Sequence, residues 1–324
     1  MCGISGLIDK KSEFNQDKRK KIVQEMLYLM KHRGGDAVGV KIDGRVTIGH
    51  TRLSILDITS NANQPISSDG MILSFNGEIY NHLKLRNKFC KNKKITSHSD
   101  TATLFTLFKS LPFKKVLGLV KGMYAFSFYS KKQKSLKLAL DRFAIKPLYY
   151  VETANFFAWA SEIKAFRAIP GFKFRFNYQD LEEYLVFRYI SSEKTLFKNI
   201  YKMRAGEYLN YSLKRKFFTK QKYYKLKKTK ETNNASLEKT LKNSVHEHLM
   251  SDFPVGIQLS GGVDSALITF FAQKLSKKKL HTFSVGLKNK KWNEFTYSDI
   301  VSRLLKTEHH KIVFSKIDYI RLFP

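Results

Sequence analysis

At 324 residues, with 43% hydrophobic and 14% aromatic content, the chain is long enough for two domains that each bury a core. Its two cysteines, Cys2 and Cys90, exclude a disulfide framework and any C-x-x-C metal spacing, and no apolar run reaches membrane-spanning length, so a cytoplasmic protein is expected. The net charge of +32 is mostly lysine, densest over residues 214–230; nucleic-acid readers use arginine within ordered motifs, and none is present, so the charge is read as a solvated surface.

The chain opens Met1-Cys2-Gly3-Ile4. Removal of Met1 would put a thiol and a free α-amine on one residue. An α-amine titrates near ~7.8, against roughly 10.4 for lysine, so it serves as a general base at neutral pH. Residues 3–8 are predicted as a first strand. Ile22, Met26, Leu29 and Met30 mark a helix over 18–32. Apolar runs at 46–48, 71–75, 123–129, 135–140, 148–151 and 156–160 read as strands parted by Gly, Asn, Asp and Pro, the pattern of sheets packed face to face. Arg52 stands at a strand edge, suited to a bidentate grip on a carboxylate. Asn76-Gly77 taken alone reads as a turn; a side-chain amide beside a glycine N–H also makes a two-donor oxyanion hole, with Glu78 able to receive an ammonium. Ser99-Asp100 reads as a helix N-cap.

Residues 175–233 mix Tyr, Phe and Lys and are expected to connect two domains, with a short helix near 180–187. The composition shifts at Thr232-Asn233-Asn234. Leu237, Leu241, Val245 and Leu249 then line one helix face. A strand at 255–259, a helix at 264–275, a strand at 282–285, a helix at 294–305 and a strand at 310–314 predict a parallel α/β sheet. Three strands are few for a covered nucleotide site, so this domain is expected to be incomplete. Ser260-Gly261-Gly262-Val263-Asp264-Ser265 lies between the first strand and its helix. The glycines let the backbone approach an anion, the two serines add donors, and the helix start adds N–H groups and positive dipole. Asp264 is placed to hold a magnesium ion on phosphates. The plainer alternative is a glycine turn with Asp264 or Ser265 as N-cap. No Gly-Lys-Ser/Thr follows, which excludes a Walker loop.

Taken in order, Met1-Cys2-Gly3-Ile4, His32-Arg33-Gly34, Arg52-Leu53-Ser54-Ile55, Gln64-Pro65, Asn76-Gly77-Glu78-Ile79-Tyr80-Asn81, Ser99-Asp100, Lys146-Pro147-Leu148-Tyr149, Ser161-Glu162 and the Ser260 to Ser265 motif resemble the glutamine-dependent asparagine synthetases. The resemblance implies an N-terminal αββα-type sandwich of an N-terminal-nucleophile amidohydrolase, then a partial parallel α/β sheet of the ATP-pyrophosphatase type. Residues 1–165 would be the glutaminase, 166–233 a connecting segment and 234–324 the first part of the synthetase domain. It implies Cys2 as nucleophile, Asn76 and Gly77 as oxyanion hole, Arg52 on the α-carboxylate of glutamine, and Glu78 and Asp100 on its α-amine. Leu53, Ser54, Ile55 and Leu56 would line that pocket. Leu259 and Val285 would touch the nucleotide, while Ser260, Gly261, Gly262, Asp264 and Ser265 hold pyrophosphate. Glutamine, aspartate and ATP are the implied substrates, with Mg2+ as cofactor, no membrane partner and a homodimer as the candidate assembly. Departures from the family pattern are Gly35 for proline, Ala102 for an acid, Ala144 for glycine and Ala205 for proline. The family is also longer, so glutaminase activity alone is expected of residues 1–324. The alternatives are a related amidotransferase acting on a sugar or peptide carboxylate, or a basic binding protein without catalysis.

Overall fold

The first strand begins one residue after Cys2. β1 (Gly3–Asp9) is buried along its whole length, because it lies inside a sheet covered on both faces. The computed structural model describes residues 1–91, 93–226, 236–287 and 293–322. They fall into two units, Met1–Lys228 and Thr229–Pro324. After β1 come α1 (Gln16–Tyr28), β2 (Ala37–Asp43), β3 (Val46–Arg52), β4 (Ile66–Ser68) and β5 (Met71–Ile79). α2 (His82–Phe89), α3 (Asp100–Ser110) and α4 (Phe113–Leu119) follow, then β6 (Gly122–Ser130), β7 (Ser135–Leu140), β8 (Tyr149–Glu152) and β9 (Phe156–Ala160). α5 (Leu181–Phe187), β10 (Ile200–Lys202), β11 (Glu207–Ser212) and β12 (Phe217–Lys222) complete the unit.

These strands form two six-stranded sheets, ordered β10-β8-β9-β1-β3-β2 and β12-β11-β7-β6-β5-β4. Strand alternation explains why they stack. Ile4 and Ile8 of β1 share an apolar layer with Ile72, Leu136 and Leu209 of the other sheet, whereas Leu7 joins Ile22, Val23 and Met26 of α1. Beyond the second sheet, Phe75 and Phe126 meet Leu104, Phe105 and Phe108 of α3. The result is the αββα sandwich.

Three sequence expectations change here. The helix predicted over 18–32 starts at Gln16, capped by Asn15 Oδ1 accepting from Lys18 N at 2.8 Å, and ends at Tyr28 before a 3-10 turn at Lys31–Arg33. Residues within 166–226, expected to connect, instead extend both sheets: β10 pairs with β8, and β11 with β7. Their polar look comes from edge position, since β12 keeps most of its residues exposed. Asn76-Gly77 is not a turn. β5 runs through both residues, paired Asn76 to Ala125 and Gly77 to Tyr124. Glycine is needed at 77 because a Cβ there would lie 2.1 Å from the Met123 carbonyl oxygen.

The second unit contains α6 (Leu237–His248), β13 (Gly256–Gln258), α7 (Val263–Leu275), β14 (His281–Leu287), α8 (Phe295–Leu305), β15 (Glu308–Phe314) and α9 (Lys316–Leu322). β13, β14 and β15 form a parallel sheet in that order. Its apolar core centres on Val245, Phe271, Ala272 and Leu280. Gly262, not Asp264 or Ser265, is the N-cap of α7; Asp264 sits in the first turn. The shift at Thr232-Asn233-Asn234 and the end of the basic stretch beyond residue 226 lie outside the described residues. Among the described residues no helix is long and apolar enough to cross a membrane.

Candidate active site

Cys2 is held at the head of β1 from both sides. Arg33 Nε donates to its carbonyl at 2.9 Å, and Arg33 Nη1 donates to Glu162 Oε1 at 2.9 Å. His32 Nε2 lies 2.8 Å from the same carboxylate oxygen. Two residues on, Ile4 N donates to Ser161 Oγ at 3.0 Å, and Ser161 N donates back to Ile4 O. The Cys2 thiol reaches the start of the loop after β3, where Leu53 N donates to Sγ at 3.4 Å and Sγ lies 3.6 Å from Leu53 O. Burial pushes the thiol pKa up, opposed by the Leu53 bond and by positive charge at the N-terminus and Arg52. The amine of Met1 is shifted down by burial, with the cations Arg33 and Lys146 acting in the same direction.

A cavity of about 270 Å³ opens beside this thiol, lined by Cys2, Arg52, Leu53, Ile55, Leu56, Asn76, Gly77, Glu78 and Asp100. Thus nearly every residue singled out for glutamine gathers around one space. Ser54 does not line it; its N–H donates to Asp36 Oδ2 at 2.7 Å. Arg52 is buried at the end of β3. Its guanidinium bonds Thr59 O at 2.9 Å, Asn63 Oδ1 at 2.8 Å, Leu56 O at 3.4 Å, and Asp57 O. All four acceptors are neutral carbonyl oxygens, so the charge is positioned without a carboxylate neutralising it. Asn76 is 1% exposed, and its Nδ2 finds no hydrogen-bond partner among the described residues. Such an orphan donor is uncommon in a folded interior. Asp100, the first residue of α3, accepts from Ile79 N at 2.8 Å and Thr101 N at 2.7 Å. Burial nevertheless pushes its pKa up to about 6, with Glu78 adding negative charge nearby. Ser99 is the N-cap of α3, accepting from Ala102 N, as its sequence position suggested.

Two contributors had motif signals but no expected role. Arg33 ties the backbone of Cys2 to Glu162, linking two motifs far apart in sequence. Lys146 is 8% exposed and lines the same cavity, with no hydrogen bond or ion pair among the described residues. Burial lowers its pKa, against the attraction of Glu78 and Cys2.

In the second unit a separate cavity of about 620 Å³ is lined by Leu259, Ser260, Val285, Phe283, Ser284 and Glu294, among others. Gly261, Gly262, Asp264 and Ser265 are not among its lining residues; they form the adjoining turn and the first turn of α7. That turn is internally bonded: Gly262 N donates to Ser260 Oγ at 3.3 Å, and Ser265 Oγ lies 3.0 Å from both Ser260 Oγ and Gly262 O. Gly261 has φ +94°, and a Cβ there would meet Tyr297 Cβ at 2.8 Å, so both conformation and space demand glycine.

Residues 1–224 match the family described as glutamine amidotransferase domain. The chain belongs to that family. Residues 236–324 match a second description, asparagine synthase. The chain is 31% identical over 98% of its length to a Methanocaldococcus jannaschii protein assigned as asparagine synthetase [glutamine-hydrolyzing] 2, covering 66% of that protein. It is 29% identical to asparagine synthetase [glutamine-hydrolyzing] 1 of Bacillus subtilis and 30% identical to asparagine synthetase B [glutamine-hydrolyzing] of Escherichia coli, covering 100% and 97% of this chain. It spans only 52% and 54% of those two relatives. Among solved structures, the glutamine phosphoribosylpyrophosphate amidotransferase of B. subtilis shares the fold at TM-score 0.50 and 16% identity, over 96% of this chain and 65% of that one.

Proposed function

We propose that the first unit is a glutaminase with Cys2 as nucleophile, and that the whole protein uses the ammonia to make asparagine. One observation carries the first part: the thiol opens onto the same cavity as an uncompensated guanidinium, an orphan amide donor and two carboxylates. These are the groups needed to hold a free amino acid by both charged ends and to stabilise an oxyanion at its side chain. With Met1 removed, the Cys2 amine would stand within reach of its own thiol, beside a cavity lined by Lys146, and would become the base for that thiol.

The steps balance as hydrolysis. The amine takes the thiol proton as Sγ attacks the side-chain amide carbon of glutamine, bound by Arg52 at its carboxylate and by Glu78 and Asp100 at its ammonium. The oxyanion is met by Asn76 Nδ2 and the Gly77 backbone. The proton passes to the leaving nitrogen, ammonia departs, and water cleaves the γ-glutamyl thioester to glutamate. In the second unit, Leu259 and Val285 would contact the nucleotide of ATP, and the Ser260 to Ser265 turn its pyrophosphate. Asp264 sits in the first turn of α7 and is exposed, so its carboxylate would hold a magnesium ion there. That ion would offset phosphate charge when bound. Aspartate, adenylated at its β-carboxylate by ATP with release of pyrophosphate, would receive the ammonia at that carbon as AMP leaves.

The deciding experiment measures ammonia release from glutamine by the wild type and by Cys2→Ala. Activity in the wild type alone supports the reading. Equal rates, or a folded wild type with none, overturn it.

A further inference from the structure

Parallel pairing of β14 with β15 sets His281 opposite Glu308 and Phe283 opposite His310. Side chains alternate along a strand, so these four share one face, while Thr282 and His309 bond each other on the opposite face. On the shared face three Lewis bases converge. His281 Nδ1 lies 3.0 Å from His310 Nε2, and Glu308 Oε1 lies 3.6 Å from each nitrogen. The two imidazoles stack at 5.3 Å between centroids, and the His310 ring also stacks on Phe283 at 4.9 Å. Both rings are therefore oriented by packing.

We propose that His281, Glu308 and His310 form a binding site for a divalent transition metal of the zinc class, with solvent completing its coordination. Zinc binds imidazole nitrogen and carboxylate oxygen at about 2.0–2.2 Å, and a tetrahedron with such arms has edges of roughly 3.4 Å. The observed edges, one of 3.0 Å and two of 3.6 Å, lie on either side of that value. A hydrogen bond between the rings accounts for the short edge alone. It leaves unexplained why the carboxylate oxygen stands equidistant from both nitrogens, too far for a hydrogen bond to either. Magnesium and calcium take mainly oxygen ligands, whereas two imidazoles and a carboxylate suit zinc and its neighbours. The side chains are 41–56% exposed, so an ion has direct access from solvent. None of the three lines the second unit's cavity, although Phe283, which stacks on His310, does, so the metal site adjoins that cavity without sharing a ligand with it.

The test uses the full chain carrying Cys2→Ala, because a thiol beside a free amine would compete for metal. Zinc is titrated against a chromophoric chelator, and cobalt binding is followed by visible absorption. The expected result is a single tight equivalent of zinc and a tetrahedral cobalt spectrum. Second-shell changes alone weaken metal sites roughly 10–100-fold, so His310→Ala and Glu308→Gln should each weaken zinc binding at least tenfold. His246→Ala, on α6, should leave it unchanged. Near-UV circular dichroism reports folding; should His310→Ala unfold, the exposed Glu308→Gln decides. No tight equivalent, or equal affinity with and without the Glu308 carboxylate, overturns the proposal.

Discussion

Replacing Asn76 by alanine should separate catalysis from stability. The Nδ2 group is buried in the middle of β5 and has no partner among the described residues. If it meets the oxyanion, its loss removes one donor aimed at developing charge. Loss of one such donor costs roughly 10²–10³ in kcat, about 2.7–4 kcal/mol. KM for glutamine should change little, since the donor acts on charge that is absent in the bound substrate. Folding should respond differently. An unsatisfied buried polar group costs about 1–3 kcal/mol, and alanine relieves that cost while losing a few packing contacts of similar total. A residual difference of about 1 kcal/mol moves Tm by roughly 2–4 °C in a chain of this size. The assays are steady-state ammonia release and a thermal melt of the same sample. A kcat loss below tenfold, or one accompanied by a fall in Tm well beyond that range, would refute the reasoning, because the amide would then be structural.

Two further outcomes follow from single residues. Ala144 holds φ +55°, where an L residue is strained by about 1–2 kcal/mol. Ala144→Gly should gain about 0.5–1 kcal/mol after glycine's extra chain entropy is subtracted; a lower urea midpoint would contradict this. Asp100, with its pKa pushed up to about 6, should lose its grip on the glutamine ammonium as pH falls through that value. KM should then rise while wild-type folding persists, and a KM that stays flat between about pH 8 and pH 5 rules the contact out. The stability sign is opposite. A carboxyl whose folded pKa lies above its unfolded value takes up its proton first in the native state, so this group's penalty of about 3 kcal/mol at neutral pH is relieved as pH falls from about 6 towards 4.

Much of this architecture was legible because periodic burial leaves periodic sequence. β1, β5, β6, β7 and β9 all contain long buried stretches, and each coincides with an apolar run. β10 to β12 were hidden because they add to the sheets at or next to their edges, where half-buried and exposed polar residues interrupt the apolar ones. β2 was missed because it is an edge strand with no fully buried residue, Val38 and Lys41 being exposed and the rest half-buried. Asn76-Gly77 misled through local chemistry. The dipeptide favours turns, yet strand pairing with β6 overrides that preference, and the contact with the Met123 carbonyl dictates glycine. Arg33 and Lys146 stood inside recognisable motifs, but their part depends on distances to Cys2 and Glu162 that no spacing along the chain encodes.

The cavity beside Cys2 is arranged at some cost to the fold, and that cost is informative. Arg52 carries a buried cation whose partners are neutral, Lys146 is buried without an ion pair among the described residues, and Asp100 is a carboxyl held where burial disfavours its charge. Lys146, with no hydrogen bond to lose among the described residues, would be better replaced by an apolar side chain of similar volume, since burying charge without compensation is unfavourable. Arg52 and Asp100 recover part of that cost through the backbone groups they bond. Two cations and two carboxylates nonetheless share one cavity beside the Cys2 thiol. A ligand bearing a single charge would satisfy one half and repel the other. A zwitterion whose carboxylate meets Arg52 and whose ammonium meets Asp100 and Glu78 compensates both, and a side chain extending from it towards Cys2 then meets the Asn76 amide. On the proposed reading, the same charges that burden the folded chain would select an amino acid by both its ends, which a neutral pocket could not do.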